Sequence, residues 1–400
     1  MKKIVLTIGG VETLEYFAKQ MGAEFERLGY AVFYFDLKNP SSSAKKVRKF
    51  IKTGQTALVT FNFQGLEQEE DVYREGIGYI WEEYQMPCYN IAADHPYFYH
   101  DRLRELPTHY YHISIDRMQQ KYFETFYPAY KSLGFLPLAG TQLEGNLDVA
   151  SRNGEYQDKT MDVIMTGNYT ELEFFEPYIH WINDEYAAFY QGIIDELLEK
   201  TDCTVEEVAL RHCEREMGEN SIEDLRGALH KMIFIDMYVR NYWRGKAVAA
   251  LADAGIKVDV VGNGWEKLPV EHPENLIIHP QTDSLTCLKM LQKAKISLNV
   301  MPWFKDGAHD RVFNSILNGA VCVSDTSKYL CEELQDGDGV FYYGLQELEK
   351  LPELVEHLLA HEEMCAAALE RGKELVLAKH TWAERARKLA GWMEEMPEHE

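Results

Sequence analysis

Short apolar runs alternate with longer amphipathic stretches along most of the 400-residue chain. A strand buried in a parallel sheet is a continuous apolar run, whereas a surface helix repeats its apolar residues every three or four positions. This pattern is typical of a doubly wound parallel sheet. In the first half it predicts strands at residues 3–8, 31–35, 56–61, 88–92, 110–115 and 131–136, separated by helices at 14–28, 43–52, 71–84 and 118–126.

The second half begins after a polar stretch, residues 140–160, which we interpret as an interdomain connection. We predict an α/β protein with two Rossmann-like domains facing a cleft, residues 1–150 and 160–380, and a helical insertion of about 171–250 in the second domain. The insertion ends in one long helix over 225–254, and a last helix occupies 381–395. The strands are predicted at 161–165, 257–261, 276–278, 296–300, 320–324 and 340–342.

The segment 295–325, KISLNVMPWFKDGAHDRVFNSILNGAVCVSD, is predicted to be a strand, a glycine-bearing loop, a helix and a second strand. The helix begins near Asp310, so Arg311 lies in its first turn. Free backbone N–H groups and the positive end of the helix dipole favour an anion there, and the planar fork of arginine matches a phosphate. The alternative is that Arg311 only caps a surface helix, but Gly307, His309 and Asn314 occur with it and favour an anion site.

Ligands of doubly wound sheets bind beyond the carboxyl ends of the strands. In the second half, these positions hold turn residues together with polar and aromatic side chains. Two glycines would let a backbone approach a base or phosphate closely, and Trp265 could flank a nucleobase; a tight turn is the alternative. The donor-binding candidates at these strand ends are Gly167, Asn168, Tyr169, Gly262, Asn263, Gly264, Trp265, Pro302 and Trp303.

The net charge of −24 argues against nucleic acid, because binding to a phosphate backbone requires a basic surface. An anionic substrate would need local positive groups, which Lys305, His309 and Arg311 could supply. The longest apolar runs are too short for a membrane span. Seven cysteines without a C-x-x-C pair indicate neither a disulfide framework nor a zinc site, and we expect a cytoplasmic protein.

Three segments resemble the CgeB-like glycosyltransferases, which have the GT-B fold. GAHDRVFNSILNGAVCVSD is similar to their sugar-nucleotide segment, DVIMTGNYTE at 162–171 to the opening of their nucleotide domain, and NIAADHPYFYHDRL at 90–103 with ISIDRMQQKYF at 113–123 to their amino-terminal domain. The resemblance implies transfer of a sugar from a nucleotide-diphosphate sugar, preferably a UDP-sugar, without a cofactor. The acceptor would be a carbohydrate, a protein or a small molecule. Many GT-B enzymes hold the ribose with a glutamate where this chain has Asn314.

In such a transfer, His309 and Arg311 would stabilise the departing diphosphate, and no metal would be required. The D-x-D pair Asp336 and Asp338 is better explained as a turn. If the reaction inverts the sugar, Asp94 or His95 is the candidate base, although both could equally be turn residues. A last helix that crosses back to the first domain is a further expectation from GT-B enzymes. A sugar-nucleotide epimerase and a non-catalytic sugar-nucleotide-binding protein are the alternatives.

Overall fold

The computed structural model describes residues 2–143, 159–218 and 220–395. The chain forms two compact units, Met1–Ala139 with Lys379–Glu400, and Gly140–Ala378. Most of the predicted interdomain connection, residues 140–160, lies outside the described residues. None of the helices within these ranges is long and apolar enough to cross a membrane.

The first unit contains a six-stranded parallel sheet with the order β2-β1-β3-β6-β7-β8. The strands at residues 56–61, 88–92 and 110–114 are buried along their whole length, as expected for a parallel sheet covered on both faces. The strands are β1 (Lys3–Ile8), β2 (Ala31–Asp36), β3 (Thr56–Phe61), β6 (Cys88–Ala92), β7 (Tyr110–Ser114) and β8 (Lys131–Phe135), with a separate hairpin of β4 (Tyr73–Arg74) and β5 (Gly78–Tyr79).

Helices cover this sheet, and the last helix of the described chain belongs to the same unit. Trp382 packs on Phe17 with ring centroids 4.3 Å apart. Arg387 Nε donates to Glu24 at 2.7 Å, and Arg385 Nε donates to the carbonyl oxygen of Pro137 at 2.7 Å. The helices of this unit are α1 (Glu12–Arg27), α2 (Pro40–Phe50), α3 (Ile80–Glu83), α4 (Arg117–Phe126) and α15 (Trp382–Glu395).

The helix predicted over 71–84 is wrong. The segment forms the β4–β5 hairpin and the single turn of α3. Gly76 and Gly78 have φ values of +74° and +97°, which belong to turns and not to a right-handed helix. The apolar spacing of the segment resembles that of a helix because Val72, Tyr79 and Ile80 all point into the core.

The second unit contains another six-stranded parallel sheet, with the order β11-β10-β9-β12-β13-β14. Numbered within the unit, this is 3-2-1-4-5-6, the Rossmann order. The predicted pair of parallel α/β domains is therefore confirmed. The strands are β9 (Met161–Thr166), β10 (Val258–Val261), β11 (Leu276–His279), β12 (Ala294–Asn299), β13 (Val321–Ser324) and β14 (Val340–Tyr342).

A run of helices separates β9 from β10 in the sequence. The single helix predicted over 225–254 is wrong, because α8 ends at Lys231 and α9 begins at Ile233. Met232 between them adopts a turn conformation, and apolar residues on both sides of it conceal the break in the pattern. The helices are α5 (Glu176–Ile179), α6 (Asp184–Glu199), α7 (Val205–Met217), α8 (Ile222–Lys231), α9 (Ile233–Asp253), α10 (Ser284–Leu291), α11 (Asp310–Leu317), α12 (Lys328–Glu333), α13 (Leu351–Ala360) and α14 (Glu362–Lys379).

Candidate functional site

The strand order of the second unit locates the point where a ligand is expected. The chain begins in the middle of the sheet at β9, proceeds to one edge, and then returns to β12 on the other side of β9. Loops that follow two such strands leave in opposite directions, which opens a crevice at their carboxyl ends. Thr166 and Gly167 end β9, and Val300 begins the loop that leads from β12 to α11.

The place where the strand order reverses, between the ends of β9 and β12, is the switch point of the sheet. Helix α11 starts there, as the sequence predicts. Its apolar face, including Phe313 and Ile316, is buried in the core. The opposite, polar face is buried as well: Ser315 and Asn318 are fully covered and Arg311 is only 8% exposed. Buried polar groups require hydrogen-bond partners, so the polar face of α11 makes specific contacts and does not face solvent.

Arg311 reaches across to the end of β9. Its Nη1 donates to the carbonyl oxygen of Thr166 at 2.5 Å, and its Nε lies 3.3 Å from His309 Nδ1. Burial lowers the pKa of Arg311, and the nearby carboxylate of Asp310 opposes that effect. The guanidinium is therefore a fixed cation at the switch point, held in place by backbone and side-chain contacts.

His309 is the N-cap of α11. Nδ1 accepts from the backbone N–H of Arg311 at 3.2 Å when the ring carries its proton on Nε2, and it can donate to Asp310 Oδ1, 2.7 Å away, when it is itself protonated. Burial and the neighbouring charge of Arg311 lower the pKa of His309 to about 4. Near neutral pH the ring is uncharged and acts through hydrogen bonds.

Two further arginines, which the sequence analysis missed, stand beside this site. Arg240 and Arg244 are four residues apart and therefore lie on one face of α9. The Arg240 guanidinium lies 4.4 Å from the centre of the Trp303 ring, and that of Arg244 lies 5.8 Å from it. The edge of the same ring meets His309, with centroids 5.8 Å apart. The sequence signal that could have revealed both arginines is their i, i+4 spacing, which places them on one face of a helix.

Gly167 lies between the cations. A Cβ atom built on it would be 3.0 Å from Arg311 Nη1 and 3.9 Å from Arg244 Cζ, and its φ of +143° is one that other residues rarely adopt. Arg244 Nη1 donates to the carbonyl oxygen of the next residue, Asn168. The glycine thus brings two guanidiniums close to the end of the central strand.

The loops after β9 and β10 bind each other. Asn263 N donates to Asn168 Oδ1 and Tyr169 N donates to the Asn263 carbonyl oxygen, both at 2.9 Å. Cβ atoms at Gly262 and Gly264 would be 2.5 Å and 2.0 Å from the carbonyl oxygens of Gly167 and Tyr169. The close approach that these glycines permit is therefore to the neighbouring turn, and the tight-turn alternative accounts for them.

Trp265 supports this turn from within. It is fully buried, its Nε1 donates to the Gly167 carbonyl oxygen at 2.7 Å, and its ring stacks on Tyr169 with centroids 5.4 Å apart. A nucleobase could reach the ring only by displacing covering residues. Trp265 and Tyr169 contribute to the site by positioning Gly167.

The remaining predicted residues of the loop and of α11 are held by internal hydrogen bonds. Asn314 Oδ1 accepts from Thr141 N at 2.8 Å, and its Nδ2 donates to Asp310 at 2.9 Å. The carbonyl oxygen of Gly307 accepts from Ser327, and that of Pro302 accepts from Lys305 Nζ. The ribose contact of Asn314 would require one of its bonds to open and stays a prediction.

A buried carboxyl group lies at the end of β13. Asp325 is 3% exposed, and its Oδ1 accepts from Met301 N at 2.8 Å. Burial raises its pKa to about 7, against the opposing effects of that hydrogen bond and of Lys305 and Arg311. Asp325 is therefore about half protonated near neutral pH.

The two candidate bases belong to the first unit and follow β6. Asp94 is half-buried, and its Oδ2 accepts from Asn62 Nδ2 at 2.9 Å and from the Tyr99 hydroxyl at 3.0 Å. His95 is 5% exposed and stacks on Tyr97 with centroids 3.9 Å apart. Asp94 is thus the more accessible of the two and has a fixed orientation.

Within the described ranges, no three histidine, cysteine or acidic side chains are grouped as a metal ion would require.

Comparison with known proteins agrees with this architecture. Residues 244–391 match a family model described as glycosyl transferase-like. A search of curated proteins found no match. The matched segment begins at Arg244 and includes the whole of α11.

Several solved structures are similar in fold to almost the whole chain. Anabaena HepE in complex with UDP has a TM-score of 0.51 and 10% identity, with 99% of this chain and 100% of HepE covered. A glycosyltransferase from Rickettsia africae has a TM-score of 0.54 and 8% identity, with 98% of each chain covered. Sucrose-phosphate synthase from Thermosynechococcus elongatus has a TM-score of 0.53 and 11% identity, with 99% of each covered. These similarities show that the fold is the GT-B glycosyltransferase fold.

Proposed function

We propose that the protein is a glycosyltransferase of the CgeB-like, hexosyl-transferring type, which moves a sugar from a nucleotide-diphosphate sugar to an acceptor hydroxyl without a metal. The observation that carries the proposal is the buried guanidinium of Arg311 at the amino end of α11, beside the carboxyl end of β9. The match of residues 244–391 to a glycosyl transferase-like model supports it.

In this reaction the bond between the anomeric carbon and the β-phosphate oxygen breaks, and the acceptor oxygen forms the new bond to that carbon. The electron pair of the broken bond stays on the diphosphate. Arg311, the helix dipole of α11 and the ring of His309 would stabilise this charge because they are already in place before the reaction. A nucleotide base and ribose would then extend toward Asn314.

A UDP-sugar is the donor that we expect, and the Anabaena protein HepE, which shares the fold, has been solved with UDP and with UDP-glucose. The acceptor would be a carbohydrate, a protein or a small molecule. For an inverting reaction we infer that Asp94, whose carboxylate is held by Asn62 and Tyr99, takes the proton of the acceptor hydroxyl. His95 is the second candidate, and a retaining reaction would need neither.

The charge of −24 supports a protein without a nucleic-acid partner, and the free cysteines of the described chain support a cytoplasmic location. Both remain part of the proposal.

Incubation of the purified protein with UDP-glucose and other UDP-sugars, followed by mass spectrometry of the products, tests the proposal. Transfer to an added acceptor, or slow release of UDP and free sugar, is the expected result, and Arg311→Ala should abolish it. An isomerised nucleotide sugar would indicate an epimerase, and an unchanged but bound ligand would indicate a binding protein; either result contradicts the proposed transfer.

A further inference from the structure

Arg240 and Arg244 are alike in sequence but differ in their surroundings. Arg240 forms an ion pair with Asp236, with Nη2–Oδ2 at 2.5 Å and Nε–Oδ1 at 2.9 Å, and its guanidinium lies over Trp303. The carboxylate one turn away neutralises Arg240, so the presence of this arginine is explained without a ligand. Arg240 therefore holds Trp303 and the loop after β12 against α9.

Arg244 has no such partner. Its Nη1 donates to the carbonyl oxygen of Asn168, whereas its Nε has no hydrogen-bond partner among the residues that the structure describes. The charges that act on it are the cations Arg311 and Arg240, and together with burial they lower its pKa to about 9. Arg244 is half-buried and adjoins two other cations, which is unfavourable without a carboxylate, and an anion bound beside it relieves that cost.

Arg244 also shares its position with Arg311. Arg311 Nη1 and Arg244 Cζ both lie within 4 Å of the point where a Cβ of Gly167 would be. Arg311 donates to the residue before this glycine and Arg244 to the residue after it. Two guanidiniums on the carbonyl groups that flank one glycine suit an anion with two adjacent phosphoryl groups.

We propose that Arg244 is a second arginine ligand of the donor diphosphate, with its guanidinium donating to a phosphoryl oxygen while Nη1 remains on Asn168. The inference rests on the proposed function. It adds a ligand from α9 to the anion site that Arg311 and the amino end of α11 form. It also assigns a preference: the site selects a diphosphate over a monophosphate, because each arginine binds its own phosphoryl group.

Calorimetric titration of the 400-residue protein with UDP, UMP, uridine and inorganic pyrophosphate tests this inference. Arg244→Ala should weaken UDP and pyrophosphate by roughly tenfold to a hundredfold, the loss expected for one charge-assisted hydrogen bond, and should weaken UMP less. Lys246→Ala is the matched control, since it removes the same charge from an exposed position on the same helix and should leave all affinities unchanged.

A second variant distinguishes a role of Arg244 in ligand binding from a role in supporting the turn at Asn168. In Arg244→Gln the side-chain amide can still donate to the Asn168 carbonyl oxygen but carries no charge. If Arg244 is a ligand, this variant should therefore bind UDP and pyrophosphate more weakly than the wild type does. Recovery of wild-type affinity in Arg244→Gln, or an equal loss of uridine affinity in Arg244→Ala, would show a structural role and overturn the inference.

The two proposals fail in different ways. If Arg311→Ala loses UDP while Arg244→Ala binds it as the wild type does, only the role of Arg244 is wrong. If the wild type binds neither UDP nor pyrophosphate, the proposed function itself is wrong.

Discussion

An alanine at Gly167 would perturb Arg311 and Arg244 at once. The new methyl group would lie 3.0 Å from Arg311 Nη1, closer than a methyl group normally approaches a nitrogen, and 3.9 Å from Arg244 Cζ. The backbone φ of +143° is also unfavourable for any residue with a Cβ. The guanidinium of Arg311 is the flexible partner, so it is the group that must move.

The cost has two parts. Holding a residue other than glycine in this backbone region costs on the order of 1–3 kcal/mol of stability. Moving Arg311 away from Thr166 removes a charge-assisted hydrogen bond from the ligand site, which is worth about 1.5–3 kcal/mol and corresponds to a loss of UDP affinity of roughly tenfold to a hundredfold.

Gly255→Ala is the matched control. Gly255 also has a positive φ, +90°, but no atom lies within 4 Å of the position of its Cβ. This variant should lose about 1 kcal/mol of stability and retain the UDP affinity of the wild type. Urea unfolding measures the first quantity and calorimetric titration with UDP the second.

The reasoning would be refuted if Gly167→Ala bound UDP as tightly as Gly255→Ala does. Such a result would mean that Gly167 meets only a backbone requirement and that the ligand does not contact the guanidiniums beside it.

Substitutions at three other residues have defined outcomes. His309→Ala should lower the free energy of unfolding by about 1 kcal/mol because it removes the N-cap of α11, whereas His309→Asn should cost less because asparagine can cap; both should weaken UDP binding. Trp265→Phe should cost about 1–3 kcal/mol in urea unfolding, since the Gly167 carbonyl oxygen loses its buried donor. Asp325 has a folded pKa of about 7 against an ordinary value of 3.8, so the folded protein binds the additional proton between these values and stability falls as pH rises from about 4 to 7. Asp325→Asn should weaken the dependence of stability on pH. If urea unfolding showed the same pH dependence in this variant as in the wild type, the raised pKa of Asp325 would be contradicted.

Local signals were sufficient for the parts of the fold that depend on neighbouring residues. α11 was predicted because an apolar strand and a loop with glycine precede it. The structure adds that His309 caps the helix and that Gly319, with a φ of +85°, follows its end. The parallel order followed from the alternation of strands and helices. The helix predicted over 71–84 failed because apolar spacing outweighed two turn glycines.

The candidate site was predictable only in part, because burial depends on contacts distant in sequence. Nothing near Arg244 in the sequence indicates that Asn168, 76 residues away, receives its hydrogen bond, or that Arg311 lies beside it. Trp265 had the residue type of a base-stacking platform, but its ring is enclosed against Tyr169. Residue type indicated the chemistry, and tertiary packing determined which side chains are positioned for it.

The central claim is that Arg311 binds the diphosphate of a nucleotide at the switch point of the second unit. The most direct test is the melting temperature of the wild type and of Arg311→Ala with and without UDP. A ligand at a hundred times its dissociation constant should stabilise the wild type by about 2.7 kcal/mol, and the variant should show almost no shift. An equal rise in melting temperature for both proteins, or no rise in the wild type, would contradict the claim.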